Sequence, residues 1–194
     1  MTASFTLYCK KFRLFLLLVL AFFSTQAVAI QSSLSITSAE LTATEEGNYV
    51  LDADFGLTLS PALEEAISKG MPLNFLVEFQ LVSPRRYWFD DEIVSLTSKV
   101  SLSYHALSRQ YLVNRDGHQL SFSSIYGAKE EISRLWHWQV VDNSLLKKGE
   151  SYQAGLRMRL DQSKLPKALQ VDTLSSEDWN MASERLRWTP TLGQ

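Results

Sequence analysis

Three stretches of this chain alternate apolar and polar residues with a period of two, and that pattern constrains the fold more than any other feature. From Tyr49 to Leu59 the side chains Tyr49, Leu51, Ala53, Phe55, Leu57 and Leu59 take the odd positions, with Asp52, Asp54, Gly56 and Thr58 between them. The pattern returns at Val94, Leu96, Val100, Leu102 and Tyr104, and again at Tyr152, Ala154, Leu156, Met158 and Leu160. Successive side chains of a strand point to opposite faces, so each stretch predicts a strand with one dry face and one wet face. Such strands belong to antiparallel sheets, because parallel sheets are covered on both faces. Weaker strand patterns fall at about 33–43, 73–83, 109–114, 118–123, 136–142 and 183–189. Glu45-Glu46-Gly47-Asn48 and Asn114-Arg115-Asp116-Gly117 supply turn chemistry between strand runs, as hairpins require.

Two short helices interrupt the strands. Ser60 is placed to cap the first, with Pro61 at its first position, Glu64 and Glu65 near its positive end and Gly70 just past its end. The second is expected at about 126–135, with Ala128, Ile132 and Leu135 on one side. The expected class is therefore all-β and mainly antiparallel: a two-sheet β-sandwich of immunoglobulin-like size with one or two short helices. The pattern does not fix the strand order.

The first 29 residues read as an address. Lys10, Lys11 and Arg13 precede an apolar run from Leu14 to Phe23, and Ala27-Val28-Ala29 offers small residues at a signal-peptidase site. A ten-residue run is well short of the roughly 18 to 20 apolar residues that span a bilayer. Cleavage after Ala29 and export to a periplasm are expected, leaving residues 30–194 as a single domain. The one cysteine, Cys9, lies ahead of the run, so the mature chain carries no lipid anchor, disulfide or reactive thiol. Three of the 19 cations leave with the leader; 16 Lys and Arg then face 21 Asp and Glu, for a net charge of −5. Mild acidity argues against nucleic acid and gives no general attraction to anionic lipid, so membrane contact is expected only through a partner.

No catalytic constellation is legible. His105, His118 and His137 lack metal-motif spacing, and neither Gly-x-Ser-x-Gly nor a phosphate-binding loop occurs. No enzyme, metal or cofactor is expected. Asp90, Asp91 and Glu92 form an acidic cluster suited to binding a hard cation or to acid–base work, or more simply to a solvated turn opening the next strand. Arg85-Arg86-Tyr87-Trp88-Phe89 follows Pro84 and joins guanidinium groups to flat aromatic faces, a combination that grips anions, sugars or peptides. The competing reading buries the aromatics as a cap on the core and pairs the arginines with Asp90, Asp91 or Glu92. Trp136-His137-Trp138 opens a strand whose alternation sends both tryptophans to one face, the core being the expected one. Arg157 and Arg159, on a wet strand face, extend a basic patch toward Arg185 and Arg187 if those strands are neighbours. The tentative binding set is Arg85, Arg86, Tyr87, Trp88, Arg157 and Arg159.

Leu51-Asp52-Ala53-Asp54-Phe55, the helix after Ser60, Arg85-Arg86-Tyr87-Trp88, the strand at Tyr111 to Val113, Leu165 to Val171 and Asp178-Trp179 occur in that order behind the leader. In this ordered set the chain resembles a proteobacterial family of secreted proteins known as a domain of unknown function (family 4390). The resemblance implies a Gram-negative host and its periplasm, hints at an accessory to a membrane sensor, and carries over no functional residue. The function expected is a periplasmic, non-catalytic binding or interaction module whose partner is an envelope protein or a small envelope ligand. The alternatives are an envelope hydrolase, a lipid or ligand carrier, and a purely structural envelope protein.

Overall fold

The period-two stretches are strands in the computed structural model, which describes residues 31–87, 89–166 and 177–192. The leader and Trp88 lie outside the described residues. In chain order the strands are β1 (Ser33–Ala43), β2 (Tyr49–Thr58), β3 (Leu73–Ser83), β4 (Asp91–His105), β5 (Gln110–Arg115), β6 (His118–Phe122), β7 (Arg134–Val141), β8 (Gln153–Leu160) and β9 (Leu186–Trp188). Helix α1 (Pro61–Ser68) separates β2 from β3, and α2 (Ile125–Ile132) separates β6 from β7.

Every pairing between these strands is antiparallel. One sheet has the order β1-β2-β7 and the other β6-β5-β4-β3-β8-β9. The molecule is thus an all-β, mainly antiparallel two-sheet sandwich with two short helices. β3 lies inside the larger sheet, and its odd residues Leu73, Phe75, Val77, Phe79 and Leu81 are all buried. They pack in one continuous core with Leu51, Ala53 and Phe55 of β2 and with Ala154, Leu156, Met158 and Leu160 of β8.

The helix ends follow their sequence signals. The Ser60 hydroxyl accepts the Leu63 N–H at 3.4 Å. At the other end Gly70, at φ +88°, donates to the Ile67 carbonyl and Met71 to that of Ala66, which is a Schellman close. Helix α2 stops at Ile132, earlier than its apolar spacing suggests, because Arg134 already belongs to β7. Arg115 reaches the C-terminal end of α2, where its Nη2 donates to the carbonyls of Glu131 (3.1 Å) and Arg134 (2.8 Å). Burial pulls its pKa below the ordinary guanidinium value, while Glu131 and Asp116 act the other way. Asp116 and Gly117 both have positive φ, as a two-residue hairpin of type I′ requires.

One expectation fails at Trp136 and Trp138. They do not share the core face, because β7 bulges between them: Leu51 of β2 faces Trp138 while Ala53 faces Leu135, so Trp136 and His137 together oppose Asp52. His137 has φ +50°, and its N–H donates to Asp52 Oδ1 at 2.6 Å. Trp136 is left 63% exposed, and Trp138 packs edge-on against Phe79 at 6.4 Å between centroids. The bulge adds one residue, and one residue reverses the face.

Two stability predictions follow from this packing. Phe79→Ala is expected to lose about 3 to 5 kcal/mol in urea denaturation, whereas Thr97→Ala on the wet face should change stability by less than about 1 kcal/mol. Asp52→Ala removes the acceptor of the bulge N–H and should lose about 1 to 2 kcal/mol, with Asp52→Asn retaining most of it.

Candidate functional site

Pro84 follows the last residue of β3 and offers no N–H to extend the ladder. The chain then turns, and Arg85 clamps the base of the turn. Its N–H donates to Asp90 Oδ1 at 3.2 Å, and its Nη2 pairs with Asp91 Oδ2 at 2.6 Å. Above that clamp Tyr87 and Phe89 are 85% and 93% exposed, and the Arg86 guanidinium lies 5.9 Å from the Tyr87 ring centroid. The core-cap reading therefore fails for Tyr87 and Phe89, while its charge pairing holds for Arg85.

The wet face of the large sheet lies beside this loop. Since the odd residues of β3 point inward, Leu76, Glu78 and Gln80 point out. Register sets Leu76 against Arg159 and Lys99, Glu78 against Arg157 and Thr97, and Gln80 against Gly155 and Ser95. Gly155 in turn faces Arg187 of β9. The adjacency that sequence left as a condition is present: Arg157, Arg159, Arg185 and Arg187 share one face.

A polar chain crosses that face. Gln80 Nε2 donates to Glu92 Oε2, and Arg185 Nη1 donates to Gln80 Oε1 at 2.9 Å. Glu78 then takes Arg159 Nε at 2.8 Å, with Arg185 Nη2 at 3.9 Å. Among the described residues no carboxylate pairs with Arg157 or Arg187. A guanidinium group can hold a carboxylate or phosphate in bidentate fashion. A groove of about 270 Å³ joins the loop to the sheet, with Phe89, Asp90 and Glu92 on one side, Arg185 and Arg187 on the other, and Gly155 among its lining residues.

No histidine lines this groove. His105 ends β4, roughly 45 Å along the strand from Asp91; His118 opens β6 and His137 lies in the other sheet. Arg86 stands beside Tyr87 and takes no part in the strand-borne patch. Glu78, Gln80 and Gly155 were not singled out from sequence. Their period-two positions mark them as wet-face residues, but only the register shows what they stand beside.

Residues 31–189 match the family model described as Domain of unknown function (DUF4390). No curated protein and no solved structure matches the chain.

Because Tyr87 and Phe89 stand in solvent, replacing each by alanine is expected to change unfolding free energy by no more than about 0.5 kcal/mol. Differential scanning calorimetry checks this; a loss of several kcal/mol would put the rings back in the core.

Proposed function

The chain belongs to the domain-of-unknown-function family DUF4390, and we propose that it is a non-catalytic interaction module of the periplasm, docking an anionic partner on the wet face of its six-stranded sheet. The observation that carries this reading is the assembly of Arg157, Arg159, Arg185 and Arg187 on one face by the pairing of β8 with β3 and β9. Glu78 is the one carboxylate on the part of β3 that faces them, and it is already shared by Arg159 and Arg185. A processed chain with 16 Lys and Arg against 21 Asp and Glu, net −5, that gathers positive charge on one face will orient an acidic partner toward that face. The clamped loop adds Tyr87 and Phe89 at its rim, and exposed aromatics beside arginine are common anchors of protein interfaces.

Export supports the same reading. The basic n-region, the ten-residue apolar run and Ala27-Val28-Ala29 direct the chain out of the cytoplasm, where an envelope protein or a small anionic envelope ligand is the available partner. Service as an accessory to a membrane sensor fits such a module. Lipid carriage is disfavoured, because the space between the sheets is filled by Phe75, Phe79, Leu51, Leu156 and Met158.

Native mass spectrometry of the protein released from its own host tests the proposal. A partner that is held at low salt and lost at high salt is the expected result. Arg157→Glu combined with Arg187→Glu should weaken that complex about tenfold or more with little change in thermal midpoint. A partner retained unchanged by the double variant would move the site elsewhere.

A further inference from the structure

The wet face of the large sheet continues past the arginines. Two residues before Leu76, Asn74 of β3 faces Ser101 of β4, and Ser101 faces Asn114 of β5. A groove of about 320 Å³ opens over this row, with Lys99 and Lys164 in its lining. Its free groups are mostly donors. Among the described residues no carboxylate pairs with Lys99 or Lys164, and the side chains of Asn74 and Ser101 make no hydrogen bond. Asn114 Oδ1 accepts the Gly117 N–H at 3.0 Å, which leaves its NH2 group to donate. The two carboxylates of the lining are already engaged. Asp116 accepts the Lys99 N–H at 2.9 Å and the Ser98 hydroxyl at 2.5 Å, and Asp161 accepts the N–H and hydroxyl of Ser163 at 3.1 and 2.6 Å. From Asn74 to Gln80 the outward residues of β3 thus define successive rows, each about 6.7 Å from the next. Lys99 and Lys164 serve the first row, Arg159 the second, Arg157 the third, and Arg187 with Arg185 the fourth.

We propose that the partner segment held on this face is an extended acidic peptide of about seven residues, laid along β3 with carboxylates at alternate positions. It reaches from the groove of Lys99 and Lys164 to the groove of Arg185 and Arg187. The proposal deepens the arginine-face reading and rests on it. An extended chain sends every second side chain to one side, so its spacing of about 6.7 Å equals that of the rows beneath it. A lone carboxylate or phosphate fills one groove at most, because the two grooves lie about 20 Å apart along the strand. The Asn74 and Asn114 amides add donors for carboxylate or peptide carbonyl oxygens. Glu78 does not repel the segment unopposed, since Arg159 and Arg185 share it. Leu76, half-buried between Arg159 and Lys99, gives the middle of the face an apolar contact. Lying over the face, the peptide needs no open strand edge.

NMR titration of the protein purified from its host, at low salt and with synthetic peptides, tests the spacing. Glu-Ser-Glu-Ser-Glu-Ser-Glu is expected to bind about tenfold or more tightly than Glu-Ser-Glu, since it engages both grooves at once. Glu-Glu-Glu-Glu-Ser-Ser-Ser carries the same charge out of step with the rows and should lose most of that gain. Lys99→Glu combined with Lys164→Glu should remove the advantage of the longer peptide and leave Glu-Ser-Glu, held by the arginines, within about threefold. If that variant lowers the thermal midpoint, Lys99→Gln combined with Lys164→Gln decides, with an expected loss of about threefold or more for the longer peptide. Equal affinity for the alternating peptide and its blocked isomer would overturn the proposal, as would seven residues binding no better than three. Binding still lost in Arg157→Glu with Arg187→Glu would then leave the arginine-face reading standing. Binding untouched by either pair of substitutions would remove both.

Discussion

The core of the described residues is arranged around the dry face of β3. Leu73, Phe75, Val77, Phe79 and Leu81 are at most 1% exposed, and removing such a row from water contributes about 1.5 to 3 kcal/mol for each large side chain. β4 and β8 extend that face sideways, and the three-stranded sheet closes over it through Leu51, Ala53 and Phe55. Because strand faces alternate, burying one row of β3 fixes where the other row points. The wet face, with Glu78 and Gln80 at its centre, is a consequence of the same core.

What the chain writes locally could be read from it. Period two marked the strands, the Ser60-Pro61 start and Gly70 stop marked α1, and Asn114 to Gly117 marked a hairpin; all of these are short-range signals. What depends on pairing was not legible. Trp136 points outward because a single residue is inserted opposite Asp52, and nothing in Trp-His-Trp announces an insertion. The patch was half visible: Arg157 and Arg159 stood out on a wet strand, but their meeting with Arg185 and Arg187 depends on a sheet order that alternation alone leaves open. Tyr87 and Phe89 were undecided between core and solvent, since a short aromatic run has the same composition in either place.

Charge is divided between the two outer faces of the sandwich. On the smaller sheet Glu40 faces Asp52 and Ser38 faces Asp54, so three carboxylates cluster there. On the larger sheet β8 and β9 hold Arg157, Arg159 and Arg187, and Arg185 lies just ahead of β9. On the proposed reading an acidic partner would be drawn to one side and turned away from the other. Such long-range orientation acts on encounter and specificity more than on final affinity.

The central claim is that partners dock on the arginine face, and site-specific photocrosslinking in the living host addresses it most directly. With the crosslinker at Gly155, Arg157 or Arg187, the account predicts one recurring adduct that is absent from Ser38 or Glu40 on the opposite sheet. Adducts from the carboxylate face and none from β8 and β9 would contradict it.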